Sequence, residues 1–152
     1  MKKNFLKISG ILLFSTLLYA CTDTNVTPNT ANYVKITDVV SSGSSFNVAM
    51  YINDSLYVGK NKVYFKVTDI SKAQTINNVV LTLNPVFTPA SSTATSSVEN
   101  PSSTQNSDGL YEGTVTFSVI GTNNWSISVE VKANDKTETV KLDIKNVYAA
   151  KP

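Results

Sequence analysis

Chemistry in this chain has few residues to work with. It contains no histidine and a single cysteine, Cys21. A Ser-His-Asp triad, a Cys-His pair and an ordinary zinc site all need imidazole or several thiolates, so this inventory excludes them. Two carboxylates on alternating segments, Glu112 and Glu130, are the remaining candidates for acid and base work on a glycoside, which needs a pair flanking one bond. Each sits between core-type residues on its own segment, and a solvated strand face is the expected reading. Asn53-Asp54 and Asn134-Asp135 supply hard oxygen donors without the loop spacing of a calcium motif, so both read as turns. Tyr51, Tyr57, Tyr64 and Tyr148 would form a sugar-binding face if the fold gathered them; as scattered residues they would be half-buried packing. The expectation is a protein that is not an enzyme and has no catalytic, cofactor-binding or metal-ligating residues.

The elements that position these residues are read from period-two alternation. Val34 and Ile36 open the series, followed by Phe46, Val48, Met50 and Ile52, and then Val63, Phe65 and Val67. Val79, Leu81 and Leu83 continue it, as do Tyr111, Val115, Phe117 and Val119, then Trp125, Ile127, Val129 and Val131, and finally Val140, Leu142 and Ile144. Such spacing puts large side chains on one side of a pleated strand and polar ones in water, and no window carries a helical stripe. Turn material at Ser41-Ser42-Gly43, Asn53-Asp54, Gly121-Thr122-Asn123-Asn124 and Asn134-Asp135 separates the runs. The expected fold is all-β: an immunoglobulin-like antiparallel β-sandwich of about seven to eight strands, with an open barrel as the alternative. The stretch 88–109, twenty-two residues dominated by Ser, Thr, Asn and Pro, is longer than ordinary connections, which marks it as a contact surface or a bland insertion.

The N-terminus sets the compartment. Lys2, Lys3 and Lys7 precede an apolar run from Ile8 to Tyr19 and then Ala20, the layout of a signal peptide covering Met1 to Ala20. A run of about a dozen residues is short of the roughly 20 needed to cross a bilayer as a helix. Cleavage between Ala20 and Cys21 fits the bacterial lipobox, since LLYAC has Leu18 three before the cysteine and a small residue just before it; Tyr19 is the atypical member. Cys21 is therefore the expected lipidation site, and the membrane, reached through that lipid, the expected partner. Thr22 lacks the acidic character that retains lipoproteins at the inner membrane, which favours the outer one. Residues 21–32 form the lipidated cysteine and a polar tether, and 33–152 the domain.

From Cys21 onward there are ten lysines, no arginine and eleven acids, a net −1. This lacks the basic footprint of nucleic-acid binding and the polybasic patch of lipid-headgroup binding. Partners of such a module would be an envelope protein or a glycan, and its oligomeric state is left open.

KVYFKVTDISKAQTINNVVLTLNP, Lys62 to Pro85, then VENP at Val98 to Pro101 and DGLYEGTVTFSVIGTNNWSISVEVK, Asp108 to Lys132, resemble the YtkA-like domain, a family related in shape to the FixH type. The shared pattern is a strand ending Val-Thr-Asp, a V-x-L-x-L-x-P strand, then G-x-Y-E-G-x-V-x-F and a Gly turn leading to Trp. It covers roughly half the chain. The resemblance implies a sandwich, and in the family's usual form copper handling by Met and His in the loop before the Y-E-G strand. Here that loop has neither, and Met50 is the only thioether beyond the signal. The implied fold carries over; the metal role does not.

Overall fold

Alternation turns into strands throughout. The computed structural model describes residues 27–89 and 104–150 with the backbone of Thr95 and Ser96; Ala20, Cys21 and most of the 88–109 stretch lie outside them. The elements in order are β1 (Val34–Val40), β2 (Phe46–Ile52), β3 (Gly59–Asp69), β4 (Gln74–Thr75), β5 (Val80–Phe87), β6 (Thr95–Ser96), β7 (Tyr111–Phe117), β8 (Gly121–Ala133) and β9 (Lys136–Val147). Among the described residues there is no helix. One sheet runs β1-β2-β3, with β7 along the first part of β3 and β4 on its last two residues; the other runs β6-β5-β8-β9, and every strand pairing is antiparallel.

The result is a sandwich-like all-β fold. Phe46, Val48, Met50, Val63, Phe65 and Val67 of the first sheet face Leu81, Leu83, Ile127, Val129 and Leu142 of the second in one buried cluster. The chain crosses between sheets from β3 to β5 and again from β7 to β8, while β3 pairs β7 and β5 pairs β8. These four strands carry most of the Lys62–Pro85 and Asp108–Lys132 segments.

Three local expectations are corrected. A bulge between Lys35 and Thr37 shifts the β1 register. In consequence Ile36 and Val39 both pack on the core, as an extra residue in one strand allows, while Val34, paired with Ile52 at the end of the strand, is exposed. Val119 does not continue the inward series of β7: it is 41 % exposed, in the turn Ser118–Ile120. Gly121 to Asn124, expected as that turn, instead opens β8, with the irregularity absorbed by a second bulge and a left-handed Asn123. The Asn134-Asp135 expectation holds. Both residues have positive φ and link Ala133 to its partner Lys136, the two-residue hairpin turn that Asn and Asp tolerate best.

Two long-range polar devices fix the loops. Tyr111 points into the core, and its hydroxyl accepts from Val79 N at 2.9 Å and donates to Ile76 O at 3.2 Å, pinning the β4–β5 connection. Burial holds this phenol above its ordinary pKa, so it stays a neutral donor. Tyr111→Phe leaves a buried amide and carbonyl without that partner and is expected to cost about 1–3 kcal/mol. A urea titration reads it, and an unchanged midpoint would contradict the assignment.

The second device joins the β1–β2 turn to β9. The Glu138 carboxylate accepts from Ser41 Oγ and from Ser45 N, Ser41 Oγ accepts from Phe46 N at 3.0 Å, and Ser42 N donates to Thr139 O at 2.9 Å. A Cβ on Gly43 would lie 2.5 Å from the carboxylate oxygen, so a side chain there would displace the end of Glu138 from its place in the turn. The Ser41 hydroxyl first, then Ser45, hold Glu138 below the usual carboxylate range. A pKa depressed in the folded state means that the stabilisation is full above the unfolded value and is lost as pH falls through the folded one. Glu138→Gln is expected to lower the melting temperature at pH 7, and the gap from the parent should close as pH drops below the ordinary carboxylate range. A gap independent of pH would show that the charge contributes nothing.

Candidate functional site

The sandwich has two unlike poles. At one, the β1–β2, β3–β4, β4–β5 and β8–β9 connections meet around two adjoining concavities of about 310 and 220 Å³ that share Asp69 and Asn134. The larger is lined by Lys72, Gln74, Thr75, Ile76, Asn77 and Asn78, the smaller by Ser44, Ser45, Phe46, Ile70, Ser71 and Lys136. Together they form a polar cup with an apolar floor.

Its shape is held by backbone. Of the six non-glycine residues with left-handed φ among the described residues, five are here: Ser44, Ala73, Asn78, Asn134 and Asp135. Asn78, Asn134 and Asp135 take this conformation readily, whereas Ser44 and Ala73 need surrounding contacts to hold them in it. The contacts are visible: Ile76 N donates to Val67 O, Ile70 N to Ser45 O, Lys136 Nζ to Ser45 Oγ, and Tyr111 anchors the 76–79 stretch. Asp69 Oδ1 accepts from Ser71 N, Ser71 Oγ and Lys72 N. The Ser71 hydroxyl is the largest cause holding this carboxyl below its usual range, against the opposing effect of burial and with the help of the Lys72 and Ser71 amides. Asp69 is thus a fixed anion in a rim of amides, hydroxyls and two ammonium groups. Side-chain amides each offer a donor and an acceptor at fixed separation, so the cup can orient a polar ligand. With no histidine in the chain, its serines have no imidazole base to activate them.

The residues singled out from sequence do not converge on this pole or on each other. Glu112 pairs across from Tyr64 on the outer face of the first sheet and bridges to Lys62 at 2.6 Å. Glu130 lies between Thr82 and Thr139 on the outer face of the second sheet. Two sheets separate them, so they cannot flank one glycosidic bond. The four tyrosines split into two pairs. Tyr51 and Tyr64 are cross-strand neighbours buried beneath Leu110 and Tyr33, whose ring stands edge-on to Tyr64 at 4.7 Å. Tyr57 and Tyr148 meet at the opposite pole with ring centres 6.2 Å apart. A single tyrosine platform is not formed.

The long connection is partly built into the domain. Asn106 Oδ1 accepts from Asp108 N and Leu110 N, Gln105 bridges to Tyr111, and Tyr33 Oη donates to Asp108 at 2.7 Å while accepting from Asn106 Nδ2. Asn29 N donates to Asp108 O as well. The end of the expected tether, residues 29–32, and residues 104–109 therefore make one folded layer over Tyr51 and Tyr64.

No family model matches this chain, and neither a curated protein nor a solved structure does. The copper role implied by the YtkA-like resemblance finds no fitting donor set: Met50 is fully buried opposite Phe65, and among the described residues no three of His, Cys, Asp or Glu gather. The cup was missed from sequence because its residues come from four connections. The one available signal was the density of Asn, Ser and Asp between the runs.

Proposed function

We propose that this chain is a lipid-anchored, non-catalytic binding module of the cell envelope, held at the outer membrane through Cys21 and using the polar cup to engage its partner. The observation that carries the binding role is the cup itself: two concavities bordered by connections whose left-handed turns are tied down by hydrogen bonds. Pre-organisation of this kind lowers the ordering cost of association. The anchor rests on the Lys-rich start, the short apolar run and LLYAC with its lone cysteine. No helix among the described residues is long and apolar enough to cross a membrane.

The finer fold reading is immunoglobulin-like. Its support is the paired crossing of β3 to β5 and β7 to β8 with β3 beside β7 and β5 beside β8. Kinship with YtkA-like domains rests on the segments quoted above, which supply those four strands. A glycan is the favoured partner over an envelope protein, because amides and hydroxyls outnumber apolar groups around the cup and match the alternating donors and acceptors of a sugar.

A glycan array probed with residues 22–152 tests the reading. Binding that falls at least about ten-fold in a Lys72→Ala, Gln74→Ala double variant, a loss of roughly 1.4 kcal/mol, is the expected result. Both residues are exposed, so the fold should survive. Binding indifferent to the double variant would move the site elsewhere, and no binding on the array would favour the protein partner.

A further inference from the structure

We infer that the pole opposite the cup is a lipid-contacting surface, resting on the bilayer to which Cys21 holds the chain; this depends on the lipoprotein reading above. Among the described residues seven large apolar side chains are exposed, and four of them lie at this pole: Val34, Val119, Ile120 and Tyr148. Ile120 is 62 % exposed and Tyr148 51 %. Ile120, Tyr148 and Ala149 line one open groove, and Tyr148 also borders a second groove beside Ile36 and Leu56.

The apolar turn is rigid rather than incidental. Trp125 Nε1 donates to Val119 O at 3.1 Å, and a Cβ on Gly121 would stand 2.7 Å from the indole. The Ser118–Ile120 tip is therefore strapped onto the buried Trp125 with Val119 and Ile120 turned outward. Tyr148 is fixed by backbone bonds in both directions, its N to Leu56 O and its O from Val58 N, each 2.9 Å. Folding leaves these side chains in water at a fixed height, which a solitary domain gains nothing from.

Lipid is the occupant that the chain's geometry and charge favour. Asn29, the first residue tied to the domain by its backbone, is eight residues from Cys21, which span at most roughly 28 Å when extended. Tyr33 stands over Tyr64, five residues along β3 from Gly59 at this pole, a rise of roughly 17 Å. The acylated end can therefore reach the same plane as Ile120. Lys145 lines the Tyr148 groove, where Lys35 is paired with Asp38, and Lys60 is exposed beside Gly59. Tyrosines and isoleucine at the acyl boundary with ammonium groups at the phosphates is an interfacial arrangement. It would direct the cup away from the membrane.

Trp125 is the chain's only tryptophan and sits under this pole, so it reports the contact without a label. Full-length protein purified from membranes, its acylation verified by mass, is placed in phosphatidylethanolamine and phosphatidylglycerol vesicles with or without a phospholipid spin-labelled near its headgroup. The expected result is that Trp125 emission falls by roughly half with the spin label, the interfacial depth placing it within quenching range. Ile120→Asp should abolish most of that quenching with unchanged melting temperature, and Val80→Asp at the cup pole should leave it intact.

Acylated parent protein without quenching, or quenching that Ile120→Asp leaves untouched, would overturn the proposal. So would self-association in detergent lost with Ile120→Asp while the vesicles give no quenching, since the face would then join two copies. A purified protein without acyl chains would instead sink the lipoprotein reading.

Discussion

Under the proposed lipid anchoring, Cys21→Ser is expected to abolish acylation, with metabolic labelling by palmitate falling to background while the parent labels strongly. The expectation follows from the sulfur being the acceptor, a soft nucleophile that a serine hydroxyl does not replace at neutral pH. The consequence for location is large because each buried methylene of an acyl chain contributes about 0.8 kcal/mol to membrane attachment. A version beginning at Thr22 behind an ordinary secretory signal should accordingly be recovered in the aqueous fraction. Equal labelling of the Cys21→Ser variant and the parent would remove the lipid anchor, and with it the lipid-contacting pole; the cup would stand unaffected.

Gly113→Ala destabilises the domain by about 1–3 kcal/mol, the usual cost of forcing volume into a filled core. Gly113 occupies an inward position on β7 between Tyr111 and Val115, where alternation calls for a large residue. The space is taken by the facing sheet. A Cβ there would lie 2.5 Å from Leu83 Cδ1, 3.5 Å from Phe65 and 3.6 Å from Val63, and Leu83 is fully buried and cannot swing away. The glycine is needed for proximity, since its φ is not left-handed. Leu83→Ala alone should cost about 2–5 kcal/mol through the cavity it leaves. The double variant should fall short of the sum by about 1 kcal/mol, because the new methyl occupies vacated space. Urea unfolding of the four proteins closes the cycle. Simple additivity would mean that the Leu83 contact is not what keeps Gly113 a glycine.

Alternation alone determined that this protein is built of strands. Val63-x-Phe65-x-Val67 and Trp125-x-Ile127-x-Val129-x-Val131 face inward as spaced, because a pleat sends successive side chains to opposite sides whatever the strand's neighbours are. The Asn134-Asp135 hairpin was equally local, its left-handed φ values being a property of those two residue types. The inventory settled which chemistries lacked their residues, since no fold supplies an absent imidazole.

Everything that depends on who faces whom was decided by tertiary structure. Glu112 and Glu130 look alike in sequence, and their assignment to opposite outer faces comes from the crossing of β7 to β8 between sheets. Val119 fits the inward period of β7, but the strand ends at Phe117 and the Trp125 indole captures the next turn. The Ser41–Ser45 turn finds Glu138 across 97 residues, and the cup draws on four separate connections. Periodicity carries no information about pairing partners, which are chosen by burial summed over the whole chain; a site made where loops converge is therefore visible only once the strands have been placed.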